Sequence, residues 1–447
     1  MTREVVLAVI TIRDGTLVTA GGSGRGDIRV VDGRIDAVGD LESEGELIEA
    51  DGLLVLPGMV DTHVHLMDPG DTSREDFVHG TRAAAARGVT TIVEHTHSHP
   101  IRATDEMEDK KRHLEGRANV DFGLAAHVWP DRIGEIASLI EAGIAFFKIF
   151  TCTTHGVPAL EGARLKEALV AIAAGKGRCL IHNEDETATA EAERRLREAG
   201  RTDPGLLVEW RSREAELVAV ASTAGQVLDT GAVATFAHVS SPAALDVIDD
   251  YRGLGADIAA EACPQYFALD EDDVLTQGAL RKFTPPARVR SDAERDAMWA
   301  AVAARRFSLF STDHAPSNLA QKTGADFWEA PFGLPGLDTT LPFLLDAALT
   351  GRIDLSDVVR LYSTAPAARY RLAKGRLSPG ADADLVLVDP SGSWTVRDGD
   401  ILSKAGWSPY AGRTFRGRVV ATYLRGEEIA RDEVCHDLRT GRFIRPV

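Results

Sequence analysis

The chain has 447 residues, 44% of them hydrophobic, which is more than one ordinary domain and within reach of one large barrel plus a smaller module. Acidic residues outnumber basic ones by 68 to 50, giving a net charge of −18 at pH 7. That balance argues against nucleic acid or an anionic membrane as a partner, since both need basic patches.

Residues 1–54 alternate like short strands broken by turns (LAVITI, TLVTA, DIRVVDGRIDAVG), with Asp32-Gly33 at a tight hairpin turn. The start, MTREVVLAVITIRDG, lacks a signal-peptide pattern. From residue 55 to residue 372 the texture changes: TTIVEHT precedes ATDEMEDKKRHLEG, AFFKIF precedes LEGARLKEALVAIAA, and RCLIHN precedes ETATAEAERRLREAG. ATFAHVS, DIAAEAC and FSLFSTD are further strand candidates. Strand–helix alternation repeated about eight times points to an α/β fold of the (β/α)8, TIM-type barrel class. A doubly wound open sheet is the competitor, but no GxGxxG follows the first strand of the run. Residues 373–447 return to β texture in ADADLVLVDP, GRVVATYLRGEEI and GRFIRPV, so both termini are expected to build one small β-sandwich domain. No window approaches the ~18 apolar residues of a membrane span. Cys152, Cys179, Cys263 and Cys435 lie far apart with no CxxC pairing, so a reducing, cytoplasmic location is expected.

Chemistry in such a barrel sits at the C-terminal ends of the strands, so the polar residues closing each apolar run matter. LLVLPGMV (Leu53–Val60) reads as a buried strand, and beyond it His63 and His65 point to one face at the two-residue strand period. Lys148 lies inside IAFFKIF, where a bare ammonium is costly. His182 closes RCLIH, His238 closes ATFAH and Asp313 closes RFSLFSTD. Singly, each has a structural explanation: a satisfied histidine, a helix N-cap at Asp313, a snorkelling Lys148. Jointly, four imidazoles and a carboxylate are first-choice ligands for Zn²⁺ and similar ions.

These segments resemble the amidohydrolase superfamily in its cyclic-amidase branch of hydantoinases, allantoinases and dihydroorotases. PGMVDTHVH, FFKIF, LIHNEDE, FAHVSSP and STDHAP match the family motifs in the family's order, as do APFGLPGLDTTLP and GRLSPGADADLVLVDP. The resemblance implies two divalent metal ions, expected to be zinc. His63, His65 and Asp313 would hold one ion, and His182 and His238 the other. An N6-carboxylated Lys148 would bridge the two. It also implies hydrolysis of a small-molecule cyclic amide by a metal-bridging hydroxide, with Asp313 moving the proton, and a homo-oligomer (dimer or tetramer). Some relatives of hydantoinases have lost their ligands and serve as scaffolds, but all six matched positions are filled here.

The resemblance also bears on the ring. Dihydroorotases hold the substrate carboxylate with an Arg, an Asn and a His at positions that correspond here to Met67, His97 and Ser317, so bidentate carboxylate recognition is lost. A cyclic ureide, allantoin or a 5-substituted hydantoin, is the expected substrate, with dihydroorotate and a lactam or cyclic imide as alternatives. D-type hydantoinases place a Tyr where this chain has Thr153; Thr153, Thr154 or His155 would supply the donor instead. Thr284, in KFTPPAR, is the candidate for the imide edge. EHTHSHP (Glu94–Pro100) departs most from the family. If the strand continued, His95, His97 and His99 would share a face and form an extra metal or proton-relay site. If it ends near His95 they diverge, and His97 is the expected pocket residue.

Overall fold

A computed structural model describes residues 9–324 and 326–447; MTREVVL and the beginning of LAVITI lie outside the described residues. The strands Val9–Thr19, Gly22–Val31 and Arg34–Gly39 form an antiparallel meander. At the expected hairpin turn, Asp32 and Gly33 take φ of 48° and 77°, the left-handed pair that a two-residue turn between twisted strands requires. A Cβ on Gly33 would come within 2.8 Å of the Arg425 carbonyl, because the C-terminal half of the domain packs directly on this turn. Leu385–Thr395 and Thr414–Leu424 join the same sheet through Leu54–Pro57, giving nine strands among the described residues. Ile28, Val30, Val55, Leu385, Leu387 and Tyr423 share its core. The two termini therefore build one β-domain.

The boundary differs slightly from the expected one. LLVLPGMV is not a single strand: Leu54–Pro57 pairs within the β-domain, and Met59–Val64 opens the barrel. Gly58 makes the step, and a Cβ there would collide with the Thr90 side chain, 2.0 Å from its hydroxyl. The closing GRFIRPV also leaves the β-domain. Phe443 bridges Phe122 and stacks edge-on against it at 5.9 Å, so the tail caps the base of the third barrel strand.

The barrel strands are Met59–Val64, Val89–Glu94, Asp121–Leu124 continuing into Ala126–His127, Phe147–Phe150, Cys179–His182, Ala234–Phe236, Ile258–Ala262 and Leu309–Phe310. All neighbours pair in parallel. A bridge between Val64 and His314 closes the cylinder. The strand residues are buried because helices cover the outside. Among the described residues no helix is long and apolar enough to cross a membrane.

Barrel and β-domain are pinned by Lys374, whose Nζ reaches Asp121 at 2.6 Å, Asp384 at 2.8 Å and Asp382 at 2.9 Å. Arg425 adds a second cation to Asp121 at 2.6 Å. Replacing the lysine leaves clustered carboxylates in a nearly dry interface. Lys374→Met should therefore cost about 3–5 kcal/mol, read as a lowered midpoint in urea unfolding, whereas an unchanged midpoint would show the cluster to be solvated.

Candidate metal centre

The six expected ligands stand at the C-terminal ends of five barrel strands and line one cleft. Asp313 Oδ1 lies 3.1 Å from His63 Nε2 and 3.5 Å from His65 Nε2. Lys148 Nζ lies 3.1 Å from the same His63 nitrogen. Across the cleft, His182 Nδ1 faces His238 Nε2 at 3.0 Å. His238 and Asp313 both hold left-handed backbone, φ 35° and 49°, a conformation non-glycine residues rarely keep without a surrounding that enforces it.

Burial lowers the pKa of each of these four imidazoles, which leaves them in the neutral, ligating form. Burial also lowers the pKa of Lys148, against the pull of Asp313 and Glu261. Lone pairs aimed at each other across 3 Å in a dry pocket are poorly paired among themselves. The donor set fits divalent ions: donor atoms of His63, His238 and Asp313 lie within 4.8 Å of one another, His65 and Lys148 stand beside this group, and His182 faces His238.

Outside the ligands stands a set of partners that sequence reading did not single out. Glu261 accepts from His63 Nδ1 at 2.8 Å and from the His238 backbone at 2.9 Å, and Ser311 bonds its other oxygen. Glu184 meets His182 Nε2 at 2.7 Å, Thr284 Oγ1 at 2.7 Å and Arg211 at 3.2 Å. Burial pushes the Glu184 carboxyl up, but Arg211, His182 and Arg288 outweigh it and hold it at about 2. Such carboxylates fix the tautomer and ring orientation of a ligating histidine. The available sequence signal was the one that exposed Lys148: a charged residue inside an apolar strand, here the Glu of DIAAEAC.

The remaining candidates separate. His97, His155 and Thr284 line the cleft, and the His97 and His155 rings stack at 4.5 Å and 8°. Thr153 is exposed and does not line the cleft; its hydroxyl donates to Glu186 at 2.7 Å. The strand ends at Glu94, so the EHTHSHP histidines diverge: His95 is buried, His97 half-buried and His99 exposed. Met67 and Ser317 are buried, and neither lines the cleft, nor does any arginine among the described residues. Phe332 and Gly333 complete the mouth. Their loop is tied down by Lys282 to the Phe327 and Trp328 carbonyls, by Lys322 to that of Pro331 and by Arg74 to that of Phe332.

Residues 54–429 match the amidohydrolase family model. The chain belongs to the amidohydrolase family. It is 37% identical to an allantoinase of Rubrobacter xylanophilus, over 98% of this chain and 97% of that protein. It is 34% identical to a dihydroorotase of Halobacterium salinarum, over 90% of this chain and 92% of that protein. The solved L-hydantoinase (dihydropyrimidinase) of Arthrobacter aurescens superposes with a TM-score of 0.92 at 28% identity, over 98% of this chain and 99% of that one. The expected barrel with a β-domain from both termini is thus the fold of this amidohydrolase.

Glu261→Gln keeps the shape beside His63 but removes a carboxyl that burial pushes up to about 8 in the metal-free protein and that a nearby cation would return to its charged form. Metal affinity should fall about 10- to 100-fold, measured by chelator competition. Equal affinity in variant and parent would limit Glu261 to packing.

Proposed function

We propose that this amidohydrolase is a metal-dependent cyclic amidase that opens a cyclic ureide, allantoin or a 5-substituted hydantoin. The observation that carries the reading is the convergence of His63, His65, Lys148, His182, His238 and Asp313 on one buried point. Two divalent ions bound there, zinc being the first choice, would make water nucleophilic at neutral pH and polarise the amide carbonyl. Asp313, within hydrogen-bond reach of that point, takes the proton from the attacking water. It then returns the proton to the ring nitrogen as the C–N bond breaks. The carbonyl carbon gains hydroxyl, the nitrogen gains hydrogen, and the product is a ring-opened carboxylate.

Lys148 is the bridging residue in this reading, as its carbamate. Carbamate forms from the neutral amine and CO₂, so an amine whose pKa is lowered by burial is suited to it. With dissolved CO₂ held constant, activation of metal-free protein should rise with pH, because the neutral fraction rises. The midpoint should lie below the ordinary lysine value of about 10.4. Lys148→Ala should lose metal and turnover and regain part of both with added short carboxylic acids; full metal occupancy in that variant would remove the bridge.

The cleft offers neutral imidazoles and the Thr284 hydroxyl oxygen for the ring, with no guanidinium among the described residues that line it. Metal-replete protein should therefore turn over allantoin or 5-substituted hydantoins and leave dihydroorotate untouched. His97→Ala should lower kcat/KM by about 10-fold or more with metal content unchanged. Turnover of dihydroorotate would instead make a carboxylate the recognised group. Cys152, Cys179, Cys263 and Cys435 are free among the described residues; a cytoplasmic site of action belongs to this proposal.

A further inference from the structure

His95 is a buried polar residue beside the candidate metal centre. It follows the second barrel strand directly and is only 1% exposed. Both of its ring nitrogens are buried and without a hydrogen-bond partner. The rings nearest it are His65 at 4.3 Å, His63 at 4.9 Å, Phe146 at 5.5 Å and His127 at 5.9 Å between centroids. An imidazole must donate from one nitrogen and accept at the other, and a buried polar group left unsatisfied costs about 1–3 kcal/mol.

The backbone that carries the ring is fixed from both sides. The His95 backbone N–H donates to the Val64 carbonyl at 3.0 Å, and the His95 carbonyl takes the Nδ1 of His65 at 2.5 Å. The second contact assigns the His65 proton to Nδ1 and leaves its Nε2 free to ligate. Ligand nitrogens of His63, His65 and His95 all lie within 4.8 Å of one another. A cation placed among three neutral imidazoles would take one lone pair from each, His95 included.

We propose that His95 is a further ligand of the ion held by His63 and His65. This rests on the metal-centre reading and adds a residue to it. The chemical consequence concerns which metal is held. Zinc settles readily for four ligands, whereas a site enriched by a third imidazole suits ions that accept five or six, such as Mn²⁺, Fe²⁺, Co²⁺ or Ni²⁺.

The experiment uses the full-length protein loaded with Co²⁺, comparing parent, His95→Leu and His95→Gln. The readouts are ions bound per chain, affinity against a competing chelator, the visible Co²⁺ spectrum, and melting temperature with and without metal. The parent should hold two ions. In both variants one ion should bind at least ~10-fold more weakly, and the Co²⁺ bands should strengthen as a ligand is lost. Leucine removes the unsatisfied nitrogens, so the metal-free His95→Leu protein should melt no lower than the metal-free parent, while its gain in melting temperature on metal addition shrinks. Two ions retained at parental affinity, with an unchanged spectrum and an equal fall in melting temperature in both forms, would make His95 a packing residue and leave the metal centre standing. A parent protein that takes up no ion would overturn both readings.

Discussion

Buried lone pairs organise this molecule. Four neutral imidazoles, a lysine amine and a carboxylate meet at the top of the cylinder, where the nitrogens and oxygens that face the cleft have few partners but each other. An arrangement of that kind is costly as bare protein and becomes favourable when cations take the lone pairs. The barrel supplies the rigidity this needs, since each donor lies in, or at most three residues beyond, a strand of the parallel cylinder. The left-handed backbone at His238 and Asp313 shows local conformation yielding to the aim of the side chains.

Around the centre, charge is arranged in a second ring. Glu261 and Glu184 each hold a histidine by the nitrogen that faces away from the cleft. Each is held in turn, Glu261 by Ser311 and the His238 backbone, Glu184 by Thr284 and two arginines. A carboxylate buried beside Arg211 and Arg288 stays ionised, so His182 keeps a fixed orientation at any working pH. Thr284 belongs to this ring and also lines the cleft, which links the ligand shell to the surface a substrate would touch.

The cleft mouth follows a different logic. Arg74, Lys282 and Lys322 each spend their donors on backbone carbonyls of the segments around Phe332. These cations hold the loop instead of presenting charge to the cleft. The faces left open to a ligand are Phe150, Phe332 and the stacked His97–His155 pair. Such a surface favours a small, uncharged, flat ring with several hydrogen-bonding groups.

The sequence by itself determined the fold class, the two-ended β-domain and the six polar residues that would close the barrel strands around one cleft. Each of those rests on a local signal: strand period, strand–helix alternation, or a polar residue closing an apolar run. Tertiary structure alone decided the rest. Gly58 divides LLVLPGMV between two domains because Thr90 comes against it from the next strand. Glu261 and Glu184 acquire their roles from histidines that meet them only when the cylinder closes. His95, His97 and His99 look alike in the chain, yet one is buried beside the ligands, one lines the cleft and one faces water. Where a strand ends is set by what its neighbours can pair with, and no spacing within EHTHSHP carries that information.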